Sequence, residues 1–98
     1  MGEKTGNDNV VFVGSKPLMN YVTSVVMLFT TKSMDEIVIK ARGKFINKAV
    51  DIAEVVKKRF LKDKNIEAKD IRIDSNEVES KEGRKISISS IEITLKKG

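Results

Sequence analysis

The chain has no cysteine and no histidine among its 98 residues. Without cysteine there are no disulfides, zinc–thiolate sites or thiol nucleophiles. Without histidine the commonest general base and the commonest metal ligand are missing as well. Aromatic residues are scarce, with one Tyr, four Phe and no Trp, and that leaves little with which to stack unpaired bases. No apolar run approaches the roughly 18 residues of a membrane-spanning helix, and Met1–Asn9 is too polar for a signal peptide. These absences lead us to expect a soluble, cytoplasmic protein that uses no metal and no other cofactor.

Positive charge is what the chain does have. Its formal net charge is +5, with a pI near 9.5. The segment from Lys40 to Lys62 holds eight basic residues against Asp51 and Glu54, a net of +6 that exceeds the charge of the whole chain. The charge is therefore clustered. A clustered basic surface favours a polyanionic partner, whereas an evenly spread one would serve solubility alone.

Residues 10–98 read as one domain and residues 1–9 as an unstructured tail. The apolar content supports only a small core, so burial against a second subunit would help. Val10–Val13 is a short apolar strand ended by Gly14, and Pro17 opens a helix in which Leu18, Val22, Val25, Val26 and Phe29 share one face. Met34–Ala41 is a second strand. Strand, helix and strand of this length predict a parallel pair with a crossover. Each strand then ends in a glycine-bearing basic corner, Gly14-Ser15-Lys16-Pro17 and Lys40-Ala41-Arg42-Gly43-Lys44, at the same end of the sheet. Ligands of open α/β sheets sit at that carboxyl end, and helix openings there suit phosphate.

A second helix is expected over roughly Lys44–Leu61, with Ile46, Ala49, Val50, Ala53, Val56 and Phe60 in one stripe. Lys44, Lys48, Lys58 and Lys62 lie off that stripe, and a solvated basic face accounts for most of them. Phe60 fits two readings, the last core residue or an exposed aromatic available to another protein.

The remainder reads as a β-hairpin whose register can be derived. A three-residue loop Lys81-Glu82-Gly83 puts glycine where positive φ is needed. Ser80 then faces Arg84, Val78 faces Ile86, Ile73 faces Ile91 and Ile71 faces Ile93. Ile71 and Ile73 fall on one face, and Val78 and Ile86 on the other. The base should pack on the core, and residues 75–89 should form a protruding arm of about 20 Å with Lys81, Arg84 and Lys85 near its tip. The alternative is a hairpin lying flat on its own domain. The expected architecture is an α/β (α+β) two-layer sandwich in βαβαββ order, with a four-stranded mixed sheet, two helices and a long hairpin.

Catalysis has little support. Gly14-Ser15-Lys16 lacks the Gly-x-x-x-x spacing of a phosphate-binding loop before it. Asp51 and Glu54, three apart on a helix, more naturally balance nearby lysines than hold a nuclease's metals. Use of the hairpin edge as a protein-docking strand is opposed by the charges along it.

The run Val11-Phe12-Val13-Gly14-Ser15-Lys16-Pro17-Leu18-Met19-Asn20-Tyr21-Val22 resembles the opening of the Alba family of archaeal chromatin proteins. So do Ile39–Lys44, Lys48–Asp51, Val56–Leu61, Glu82-Gly83-Arg84 and Ser89–Ile93. The resemblance covers nearly everything from Val10 to Lys97. It implies a homodimer that binds double-stranded DNA with little sequence preference, in chromatin or the nucleoid, and for many relatives RNA as well. It implies backbone contacts from Ser15-Lys16 and Arg42–Lys44, and hairpins that follow the minor groove. The first helix and the hairpin base would contribute to the dimer, and Phe60 would sit at a dimer–dimer contact. The charge reading adds Lys40 and Lys48 on the body, and Lys81, Arg84 and Lys85 on the arm.

This chain also departs from the family. Ser15 stands where many members have a lysine that is regulated by acetylation, which leaves Lys16 as the candidate. Lys44 replaces a common Arg, Phe45 a residue that is often small, and Ser87 an occasional Arg. Lys85 partly compensates for the last. Binding weaker or more salt-sensitive than in the most basic relatives follows from these changes.

Overall fold

Alternation along the strands and 3.6-residue periodicity along the helices leave one apolar face on each element. The fold joins those faces. The computed structural model describes residues 9–98. The order is β1 (Val10–Phe12), α1 (Leu18–Thr30), β2 (Glu36–Arg42), α2 (Ile46–Val55), β3 (Ile66–Glu79) and β4 (Lys85–Lys97). The sheet runs β1-β2-β4-β3, with β1 parallel to β2 and the other pairs antiparallel. This is the expected two-layer βαβαββ sandwich. The expected tail lies outside the described residues except for Asn9, a turn residue just before β1 whose carbonyl accepts from the Val38 N–H at 2.8 Å.

Among the described residues only one face of the sheet is covered. Val11, Ile37, Ile39, Ile93 and Leu95 point into the core and meet Val22, Val25 and Phe29 of α1, Ile52 and Ala53 of α2, and Val56 just past its end. Phe12, the neighbour of Val11, therefore points away from the helices and is 67% exposed. Four apolar residues in a row suggest burial on both sides, but an open face leaves every second one in solvent.

Three element ends differ from expectation. β2 begins at Glu36, not Met34. Met34 instead closes α1, donating its N–H to the Leu28 carbonyl at 3.0 Å after Ser33 turns the chain at φ +54°. This is the left-handed helix stop. Arg42 is the last residue of β2, paired with Ser90. Gly43, at φ +58°, then makes the corner into a 3₁₀ turn, Gly43–Phe45, before α2.

The last turn of the second helix, Val56–Phe60, is wound as a π-turn, with the Leu61 N–H reaching the Val56 carbonyl at 2.9 Å. At α-helical pitch Phe60 would lie one turn beyond Val56, on the core. The wider turn brings Leu61 there instead. Leu61 is 4% exposed and Phe60 48% exposed, which decides between the two readings of Phe60.

The hairpin register is as derived: Ile71↔Ile93, Ile73↔Ile91 and Val78↔Ile86. Gly83 sits at φ +81°, and the Ser80 N–H donates to the Arg84 carbonyl at 2.7 Å. A bulge at Lys69 sets Ala68 opposite Leu95 and Asp70 opposite Thr94. With extents of 49 × 27 × 24 Å, the molecule is drawn out, and the hairpin beyond Ser75 is exposed on both strands apart from half-buried Ser80 and Ile88. The base behaves differently from expectation. Ile93 is buried, yet Ile71 is 57% and Ile73 79% exposed. The helices pack on β1, β2 and β4, so the edge strand β3, buried at Ile66, carries Ile71 and Ile73 past their cover.

Candidate nucleic-acid interface

The carboxyl ends of β1 and β2 lie side by side, because the strands are parallel neighbours, and both basic corners are brought to that end. Ser15 and Lys16 are exposed on the loop after β1, and Arg42 and Lys44 are exposed at the corner after β2. Among the described residues, none of Lys16, Arg42 and Lys44 forms an ion pair. Among the described residues no side chain caps the opening of the Gly43 turn, whose first backbone amides are left to solvent or to an anion, while the Ile46 amide that opens α2 donates to the Gly43 carbonyl.

Lys40 and Lys48 are placed differently. Lys40 lies on the open sheet face, 3.5 Å from the Glu92 carboxylate on the neighbouring strand and 5.8 Å from the centre of the Phe12 ring. Part of its charge is offset there. Lys48 reaches from α2 to the first loop, where its ammonium donates to the carbonyls of Gly14 at 2.9 Å and Lys16 at 2.7 Å. The rings of Tyr21 and Phe45 lie 5.7 and 5.6 Å from the same nitrogen. From the other side, the Tyr21 hydroxyl accepts from the N–H groups of Gly14 at 2.9 Å and Lys16 at 3.2 Å. Lys48, counted by its charge among the cations of the body, thus spends its ammonium on main-chain carbonyls, and Tyr21 spends its hydroxyl on main-chain amides. Nothing in composition or periodicity marks a side chain that bonds to main-chain groups of a distant loop.

The arm has another character. Lys81, Arg84 and Lys85 are exposed near its tip, as expected. Glu77, Glu79 and Glu82 accompany them, and Glu79 pairs directly across from Lys85, so residues 75–89 carry no net charge. Along α2, Lys57 and Lys58 lie 3.4 and 3.1 Å from Glu54. The hydrogen bond from Lys58, with the charges of both lysines, holds the Glu54 carboxyl below its ordinary range against an opposing cost of burial.

A one-sided α/β sheet whose parallel strand ends gather exposed cations, without ion pairs among the described residues, presents a surface suited to a polyanion, with a slender hairpin beside it. The comparisons carry the identification further. The sequence model of the Alba family matches residues 9–75, and the chain belongs to that family. It is 52% identical over 90 residues to the DNA/RNA-binding protein Alba of Methanocella arvoryzae, covering 92% of this chain and 91% of that one. It is 48% identical to the DNA/RNA-binding protein Alba 1 of Archaeoglobus fulgidus, over 92% of this chain and 97% of that one. Among solved structures it is similar to Alba from Thermoplasma volcanium, with a TM-score of 0.82 and 44% identity, covering 91% of this chain and all of that one. Among the described residues no helix is long and apolar enough to cross a membrane.

Proposed function

We propose that this protein is an architectural, chromatin-type binder of double-stranded DNA, acting as a homodimer in the cytoplasm on the chromosome or nucleoid. The observation that carries the proposal is the gathering of Lys16, Arg42 and Lys44 at one end of the sheet. The names of its relatives, DNA/RNA-binding proteins, support the same class. Ser15, Lys16, Lys40, Arg42 and Lys44 face phosphates from the body and release counterions on binding. Lys81, Arg84 and Lys85 follow a groove, with no side-chain set suited to reading base edges. The exposed Ile71 and Ile73 offer the second subunit an apolar edge, and the exposed Phe60 offers a contact between dimers on DNA. Acetylation of Lys16 would remove a phosphate contact.

The test is binding of duplex DNA and of RNA of matched length by fluorescence anisotropy across a salt series. A linear log–log decline with a slope of several charges, equal among DNA sequences, is expected. No binding to either at low salt would end this reading.

Phe12 favours a second reading, in which RNA is the main partner. It lies exposed on the open sheet face above a depression of about 400 Å³, beside Lys40, Arg42, Ser90 and Glu92. An exposed ring flanked by cations suits an unpaired base. If Phe12→Ala weakens RNA binding and spares duplex DNA, RNA takes first place.

A further inference from the structure

We infer that Lys48 and Tyr21 form a two-sided clamp that fixes the Gly14–Lys16 loop in its anion-binding shape, so that Lys48 acts as a positioning residue and not as a phosphate ligand. The inference rests on the nucleic-acid reading above for its consequence, and on internal contacts for its geometry.

The loop has four main-chain groups that would otherwise need water. Tyr21 takes the N–H groups of Gly14 and Lys16, and Lys48 takes their carbonyls, at 2.7–3.2 Å throughout. The two side chains also lie together, the ammonium 5.7 Å from the Tyr21 ring centre and 5.6 Å from that of Phe45. An ammonium has three donors, and two are spent on this loop. Lys48 is half-buried, whereas Ser15 and Lys16 are exposed.

Two effects favour an anion. Carbonyl oxygens turned toward a phosphate repel it, and here a cation holds two of them inward. A loop already held in one conformation also loses less entropy when its side chains close on a ligand. Ser15 and the Lys16 side chain are left as the groups the loop presents. The clamp further ties β1 and α1 to α2, so the two basic corners keep a fixed spacing.

Lys48→Met and Tyr21→Phe test this, singly and together, by amide NMR spectra of the free protein and by salt-dependent DNA binding. Tyr21→Phe removes an oxygen but no charge, and it remains informative should Lys48→Met fail to fold. The clamp predicts that both variants move the Gly14, Ser15 and Lys16 amide signals. Each should weaken binding on the order of tenfold, as expected for loss of two hydrogen bonds that hold the loop. Both should show the same salt slope, and the double variant should be little worse than either single one. A direct phosphate ligand predicts instead that Lys48→Met leaves the loop signals unmoved and lowers the slope by about 0.9 more than Tyr21→Phe does. That result, or unmoved loop signals in both variants, overturns the clamp. If the wild-type protein binds no nucleic acid, the proposed function fails, while the amide signals still decide the clamp.

Discussion

The body corner and the hairpin arm both carry cations, but they are built on different principles. At the corner, basic residues outnumber acids and the main chain of the first loop is tied down by side chains from both helices. On the arm, acids match bases one for one, and the strands hold only each other. Coulomb attraction at a distance depends on net charge, so it should come from the corner. The arm can contribute shape and short-range contacts once bound, but little long-range pull.

The comparison can be broken most forcefully through stability. Leu95→Ala, in the fully buried part of β4, should cost about 2–5 kcal/mol in urea unfolding. Val78→Ala, out on the arm, should stay within about 0.5 kcal/mol. Comparable losses would mean that the arm packs on something in the free protein.

Binding gives the next largest effect. Lys16→Ala combined with Arg42→Ala should weaken duplex DNA on the order of 10–100-fold and lower the salt slope by about 1.8, alike for all sequences. A large change in sequence preference would show that the corner reads bases. On the arm, Glu77→Gln, Glu79→Gln and Glu82→Gln together should strengthen binding several-fold at low salt and raise its salt sensitivity. If affinity falls instead, the acids are making contacts of their own.

The smallest effect concerns pH. The hydrogen bond from Lys58 is the main cause of the lowered Glu54 carboxyl, and that from Lys69 of the lowered Glu36 carboxyl. A carboxyl lowered in the folded state adds stability above its unfolded value, near 4.5, and loses it as pH falls through the folded value. Both groups are substantially exposed, so solvent screens the gain. Glu54→Gln should reduce Tm by less than about 2 °C at pH 7, and by nothing measurable once the wild-type carboxyl is protonated. An unchanged difference across that range would assign the effect to helix propensity.

Much of this arrangement was legible in the sequence where a strict period or a special residue governs it. Gly83 and the two-residue alternation gave the hairpin register pair by pair, and the two apolar runs gave the parallel strands whose ends form the corner. The exposure of Phe12 is not legible, because a short apolar run does not say whether one or both sheet faces are covered. Phe60 stayed ambiguous because a π-turn leaves no mark in a pattern read at 3.6 residues per turn. Lys48 was grouped with the outward-facing lysines by its charge, whereas its position follows from carbonyls more than 30 residues away in sequence. Ile71 and Ile73 were given to the core because a hairpin's apolar face does not reveal how far the helices reach.

The bulge at Lys69 has a consequence for how the protein survives alone. β3 is a 14-residue edge strand with one side unpaired, the kind of edge on which other chains can grow a sheet. The extra residue interrupts that row of free amides and carbonyls and twists the strand away from a flat template. Deleting Lys69 would keep Ala68 opposite Leu95 and Ile71 opposite Ile93. The fold would be preserved, and a longer regular edge would be left open, so the deletion should aggregate faster at high concentration.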